Sequence, residues 1–232
     1  MSKTIFITGA NRGLGFESAR RLTDLGHTVL VGARDRDQGL AAAARLRARF
    51  VPIDVADDES TANAAADVAA HEGHIDVLIN NAGIAGTMAA ADELTGEDAT
   101  LVFNTNTISI VRVTSAFLPL LRRGDAPVVV NVTSGVGSAA LTHDETRAES
   151  QLIAPLYAAS KAAVTMLTTQ YAKALTDMRF NAVDPGYTAT DLNGHTGPQT
   201  VTEGTDAIVT LATEDASAGT GRVIDRYGPL PW

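Results

Sequence analysis

The sequence predicts one doubly wound α/β domain built around a mainly parallel, seven-stranded sheet. Three observations lead there. Short Val- and Ile-rich runs alternate with longer helical patterns along all 232 residues. The runs are apolar on both parities, which suits strands buried on both faces. The first run also breaks into a glycine-rich turn that opens a helix. Strand–helix alternation of this kind implies parallel strands joined by right-handed crossovers, the Rossmann-type arrangement.

The elements follow in order. Residues 4–8 form the first β-branched run, which ends at Gly9, and residues 13–25 carry the first helical pattern. A strand over 28–33 leads to an Ala-rich helix over 38–48. Residues 49–53 and 59–71 repeat the unit, as do 75–80 and a long helical pattern over 97–122. The strand 127–133 is followed, after an interval, by a helix over 155–176. A strand over 179–183, a shorter helix over 202–212 and a last strand over 221–224 complete the set. This fills the length, so 1–232 is expected to be a single domain. Residues 135–154 and 185–200 resist regular assignment. Both follow strands, and ligands of open α/β sheets bind beyond the carboxyl ends of strands. They are therefore expected to form the substrate-pocket loops.

Composition narrows the functional classes. Hydrophobic residues make up 45% of the chain, in keeping with a packed core. A formal charge of −9 argues against general binding to nucleic acid or to anionic membranes. Cysteine is absent, which removes thiol nucleophiles and Cys-based metal sites and accords with a cytoplasmic location. The N-terminus lacks the apolar region and cleavage site of a secretory signal, and no apolar run approaches a membrane span. The five histidines show no ligand spacing, so no metal is expected; His195 falls in a candidate substrate loop.

Two local patterns carry chemistry. Thr8-Gly9-Ala-Asn11-Arg12-Gly13-Leu14-Gly15 closes the first strand and opens the first helix. Glycines there permit close backbone approach, and a helix N-terminus attracts phosphate. Tyr157 and Lys161 stand four apart, on one face of a helix. Positive charge beside a phenol favours phenolate and draws its pKa down from about 10, toward the range useful for proton transfer.

Together with three further motifs, these patterns resemble the short-chain dehydrogenase/reductase family. The further motifs are Asn80-Asn81-Ala82-Gly83 after the fourth strand, Ser134 after the fifth, and Pro185-Gly186 after the sixth. The resemblance spans nearly the whole chain and implies NADP(H)- or NAD(H)-dependent hydride transfer to a small-molecule carbonyl. It assigns Tyr157 as general acid/base. Lys161 becomes the group that lowers the Tyr157 pKa and binds the nicotinamide ribose. Ser134 polarises the carbonyl, and Asn106 supports a water chain to the lysine. Asn104 competes for that last role, and Ser109 three positions on favours Asn106. Gly9, Asn11, Arg12, Gly13, Leu14 and Gly15 are implied to hold the cofactor phosphates. Asp54 and Val55 would hold the adenine, with Asn81, Ala82 and Gly83 along the adenosine side. Pro185, Gly186, Thr188 and Thr190 would border the nicotinamide. A helix N-cap is the plain alternative for Asp54.

The end of the second strand bears on the cofactor. Ala33 stands where a ribose-binding acid would sit, and Arg34 follows it. With Arg12 in the glycine turn, two guanidinium groups suit a 2′-phosphate, so NADP(H) is preferred. Asp35 keeps NAD(H) open. The interval from Ser134 to Tyr157 is longer than in most of the family. It resembles an insertion of monomeric carbonyl reductases that covers the helix face used for assembly, so a monomer is expected. Asp184 departs from the family pattern, which has a neutral residue there. Trp232 is expected to cap the core or the substrate pocket. A non-catalytic NADP(H)-binding redox sensor is the alternative reading, although such relatives usually lose the Tyr or Lys kept here.

Overall fold

Alternation of buried strand residues organises the computed structural model, which describes residues 2–87 and 89–232. In β1 (Thr4–Thr8), Ile5 and Ile7 join one apolar cluster while Phe6 joins the other. The same split recurs in β2 (Thr28–Ala33), β4 (Val77–Asn80) and β5 (Val128–Val132). A sheet apolar on both faces must be covered on both. Helices α1 (Gly13–Asp24), α2 (Arg36–Leu46) and α9 (Asp206–Thr213) cover the first. Helices α3 (Asp58–His71), α5 (Ser109–Leu121) and α7 (Pro155–Ala174) cover the second, where Phe6 and Phe117 pack with ring centroids 4.4 Å apart.

With β3 (Arg49–Pro52), β6 (Arg179–Val183), β7 (Val223–Asp225) and β8 (Gly228–Pro229), the sheet order is β3-β2-β1-β4-β5-β6-β7-β8. Every pairing is parallel except β7 with β8. The sheet therefore has eight strands where seven were expected. The eighth is a two-residue hairpin return containing a proline, too short to carry a periodic signal. The direction of winding reverses between β1 and β4, and such a switch point opens a crevice at the carboxyl ends of the strands.

Other departures are local. The helical pattern over 97–122 divides into α4 (Gly96–Phe103), a π-helical turn (Asn104–Ile108) and α5. The last helical pattern splits at Thr205 into α8 (Val201–Gly204) and α9. Residues 135–154 are more regular than expected. They hold a 3-10 turn (Gly135–Gly137), α6 (Ala139–Thr142) and a second 3-10 turn (Ala148–Gln151). Trp232 does not cap the core; it is about half exposed, and its neighbour Pro231 accepts a hydrogen bond from Ser138 at 2.8 Å.

Candidate active site

The glycine turn is held from behind by a threonine and an asparagine. The Thr8 hydroxyl accepts from the amides of Asn81 and Ala82, both at 3.0 Å. The Asn81 side chain returns hydrogen bonds to the carbonyls of Thr8, at 2.9 Å, and Gly9, at 3.2 Å. Its amide is thereby committed to bracing the turn instead of facing the crevice. A carbon added at Gly15 would lie 2.4 Å from the Gly9 carbonyl and 2.5 Å from the Asn81 side chain, so only glycine fits. Leu14 packs toward Gly204 of α8, and Asn11 donates to Gln38 of α2 at 2.8 Å.

Helix α1 then begins in a state suited to an anion. Its N-cap residue Arg12 supplies no side-chain cap, and its first turn carries no acid. The free amides and the positive end of the helix dipole are not neutralised by the chain's own side chains. This cradle fits the phosphates of a dinucleotide.

The two arginines do not converge. Arg12 pairs with Asp191 at 3.1 Å, on the loop after Thr190, while Arg34 lies 3.9 Å from Asp54 and stays exposed. Asp35 caps α2, accepting from the Gln38 amide at 2.9 Å. Asp54 folds into a local turn, accepting from Ala56 at 2.9 Å, and the cap of α3 is Asp57. Val55 is buried in the core, and its carbonyl accepts from Arg112 at 2.8 Å.

The residues after β4 and β5 meet α7. Tyr157 and Lys161 lie one helical turn apart, with Nζ of Lys161 5.6 Å from the Tyr157 ring centroid. Lys161 is buried and donates to the Val132 carbonyl at 2.8 Å. Ser134 opens the turn that follows β5, and its hydroxyl acts to lower the Tyr157 phenol. Thr133, one residue earlier, donates to the Lys161 carbonyl at 2.9 Å and ties the strand to the helix.

Asn106 sits in the π-helical turn, where a wider helix turn aims its side chain inward. Its carbonyl accepts from the Ile84 amide at 2.8 Å. Its amide donates to Ile84 O at 2.9 Å and to Ser160 Oγ at 3.0 Å. Gly83 lies beside both Asn106 and Nζ of Lys161. Asn104 faces elsewhere, bonding to Ala56 and Arg112.

Burial governs the protonation of the pair. Burial first and the Asp184 carboxylate second push the Tyr157 phenol up to about 12, against the Ser134 hydrogen bond. Burial draws the Lys161 ammonium down to about 8, against the attraction of Asp184. The lowered phenol expected from the Tyr–Lys spacing is therefore not what this geometry gives. The lysine's donor is turned to a backbone carbonyl, and desolvation governs the phenol.

Residues after β6 form the other rim. Gly186 is left-handed, and its amide donates to Asp184 at 2.9 Å. Thr188 is buried and donates to the Pro185 carbonyl at 2.9 Å. Thr190 caps a short 3-10 turn (Asp191–Asn193), and its side chain approaches Gly13. His195 pairs with Asp191 at 2.9 Å. Among the described residues no group of three or more His, Asp or Glu stands ready to hold a metal.

Thr8, Ser160 and Ser138 were given no role by the motif reading. Thr8 precedes the glycine turn and Ser160 lies between Tyr157 and Lys161, yet their partners Asn81, Ala82 and Asn106 are far away in sequence, which no local pattern records.

Comparison with known proteins adds independent information. A family model described as short chain dehydrogenase matches residues 3–200. Short-chain dehydrogenase anuI of Penicillium roqueforti is 34% identical, across 97% of this chain and 95% of its own length. The (+)-neomenthol dehydrogenase of Arabidopsis thaliana is 32% identical, across 89% of this chain and 90% of its own. The crystal structure of an NADPH-bound carbonyl reductase from chicken fatty liver superposes with a TM-score of 0.87. It is 27% identical, covering 100% of this chain and 99% of that one.

Proposed function

Because the chain belongs to the short-chain dehydrogenase family, we propose that it is an NADP(H)-dependent oxidoreductase that reduces a ketone or aldehyde carbonyl to an alcohol. The observation that carries this reading is the meeting of Ser134, Tyr157 and Lys161 where β5 and α7 converge, beside the anion cradle of α1.

The cradle at Gly13–Gly15 would hold the cofactor phosphates, with the exposed Arg34 available to a 2′-phosphate. Asp35 is spent on capping α2 and Ala33 has no polar group, which supports NADP(H) over NAD(H). When bound, the nicotinamide supplies the hydride. Ser134 orients the carbonyl oxygen and hydrogen-bonds to it as charge develops there. Tyr157, protonated at neutral pH because its phenol is raised, delivers the proton to that oxygen. Lys161, drawn down to about 8, is still mainly an ammonium at neutral pH. Its charge favours the phenolate left when the proton departs. Asn106 holds the loop after Gly83 against α7 and so keeps Lys161 in register.

The cytoplasmic location and the monomeric state belong to this proposal. Among the described residues no helix is long and apolar enough to cross a membrane. The segment between Ser134 and Tyr157 packs against the turn at Gly135–Gly137 and upon itself, while Leu101, Ile108, Val111 and Met166 remain exposed. Monomer status therefore rests on the resemblance of that segment, and light scattering showing a dimer or tetramer at micromolar concentration would overturn it.

The activity is tested by following NADPH oxidation with a panel of ketones, quinones and aldehydes, in wild type and Tyr157→Phe. Turnover should collapse in the variant while NADPH binding persists. A variant that turns over normally removes the proposed acid; wild-type binding without turnover on any substrate favours a redox sensor. Michaelis constants for NADPH and NADH compared side by side test the cofactor, and a clear NADH preference refutes the reading.

A further inference from the structure

Asp184 follows β6 and precedes Pro185, and it is 6% exposed. Its Oδ1 accepts from the Gly186 amide at 2.9 Å, and its Oδ2 lies against Gly135. Because β5 and β6 are neighbours, one side chain thus spans the turn that starts at Ser134 and the turn at Pro185–Gly186.

A second carboxylate reaches the same place from the inserted segment. A carbon added at Gly135 would lie 2.8 Å from Asp184 Oδ2 and 2.9 Å from Glu149 Oε1. Both acids therefore close on one glycine, which has no room for a side chain. Arg147 holds Glu149 with two hydrogen bonds, at 2.7 and 3.1 Å, and its charge also acts on Asp184. The other charged or titratable groups in this field are Tyr157 and Lys161 on α7 and Asp225 on β7.

We propose that Asp184 is a positioning residue that locks the Ser134 turn against the Pro185–Gly186 turn and supplies the negative field in which Tyr157 and Lys161 hold their protons. The inference rests on Tyr157 being the acid. Its physical basis is direct. A nearby carboxylate disfavours phenolate and favours ammonium, so it raises the affinity of both groups for a proton. Burial above all, with Glu149 and Asp225, pushes the Asp184 carboxyl up, while the Gly186 amide it accepts from favours the ionised form. The Arg147–Glu149 pair couples the inserted segment to this balance, which gives that segment a role in the chemistry beyond lining the pocket.

The test is the pH dependence of kcat/KM for carbonyl reduction in wild type, Asp184→Asn, Asp184→Ala and Tyr157→Phe. Removing the charge lowers the proton affinity of Tyr157 and of Lys161. Both effects move the alkaline limb the same way, to lower pH by about one unit in each neutral variant. Asp184→Ala also leaves the Gly186 amide without its acceptor and should lose about tenfold in kcat at neutral pH relative to Asp184→Asn. A purely structural aspartate would lower kcat or thermal stability and leave the limb where it is. Either neutral variant suffices if the other fails to fold. An unmoved limb, with Tyr157→Phe inactive, overturns this inference alone; an active Tyr157→Phe overturns the reading of the acid and this inference with it.

Discussion

Replacing Asn106 by aspartate changes almost no volume and so isolates two hydrogen atoms. In the native protein the Asn106 side chain is 1% exposed and makes three hydrogen bonds, one accepted from Ile84 N and two donated to Ile84 O and Ser160 Oγ. Aspartate keeps the first and loses both donations, leaving a carboxylate oxygen where an amide had stood 2.9 and 3.0 Å from two other oxygens. Ser160 cannot relieve the contact easily, because its hydroxyl already donates to the Tyr157 carbonyl at 2.7 Å. Two lost hydrogen bonds at about 1 kcal/mol each, together with an imperfectly solvated charge, amount to about 3–4 kcal/mol. For a chain of this length that corresponds to a fall in Tm of about 10 °C. The burial that raises the new carboxyl's pKa also fixes the sign with pH. Stability is retained where the acid is protonated and can donate one bond, and is lost as pH rises through its folded pKa. Thermal denaturation at pH 5 and pH 8 should therefore show a smaller deficit at the lower pH. A fall of less than about 2 °C at pH 8, or a deficit independent of pH, would refute the claim that these three bonds fasten the π-helical turn.

Three further predictions follow from the same geometry. Gly15→Ala places a carbon 2.4 Å from the Gly9 carbonyl, so fluorescence titration should show NADPH affinity reduced at least about tenfold as the turn is forced open. The Lys161 pKa is depressed in the folded state, so its contribution to stability is fully present above the unfolded value of 10.5 and is lost as pH falls through about 8. Urea titrations should then show wild type gaining on Lys161→Met between pH 7.5 and pH 10; a pH-independent difference would show that Lys161 is not desolvated. Arg34→Ala should raise the Michaelis constant for NADPH about tenfold and leave that for NADH nearly unchanged; equal effects on both would remove Arg34 from the 2′-phosphate.

Much of the fold was legible because it is periodic. Ile5, Phe6 and Ile7 alternate between two clusters, and a strand apolar on both parities can only be central in a covered sheet. The β8 hairpin return and the π-helical turn at Asn104–Ile108 are not legible: the first is two residues long and contains a proline, and the second is held through Asn106 by the distant Ile84 and Ser160. The position of Ser109 favours Asn106 over Asn104, and the structure shows what separates them: one bonds to Ile84 and Ser160, the other to Ala56 and Arg112.

The sequence by itself determined the α/β class, the order of the strands through β7, the anion cradle at the start of α1, and the pairing of Tyr157 with Lys161. These depend on residues close together in the chain, where spacing fixes geometry. Only the tertiary structure decided that Arg12 turns to Asp191 and Arg34 toward Asp54, and that Asn81 braces the glycine turn. It alone decided that burial and then Asp184 push the Tyr157 phenol up. Protonation in a buried site depends on desolvation and on charges brought in from other strands, and neither quantity is written in the local sequence.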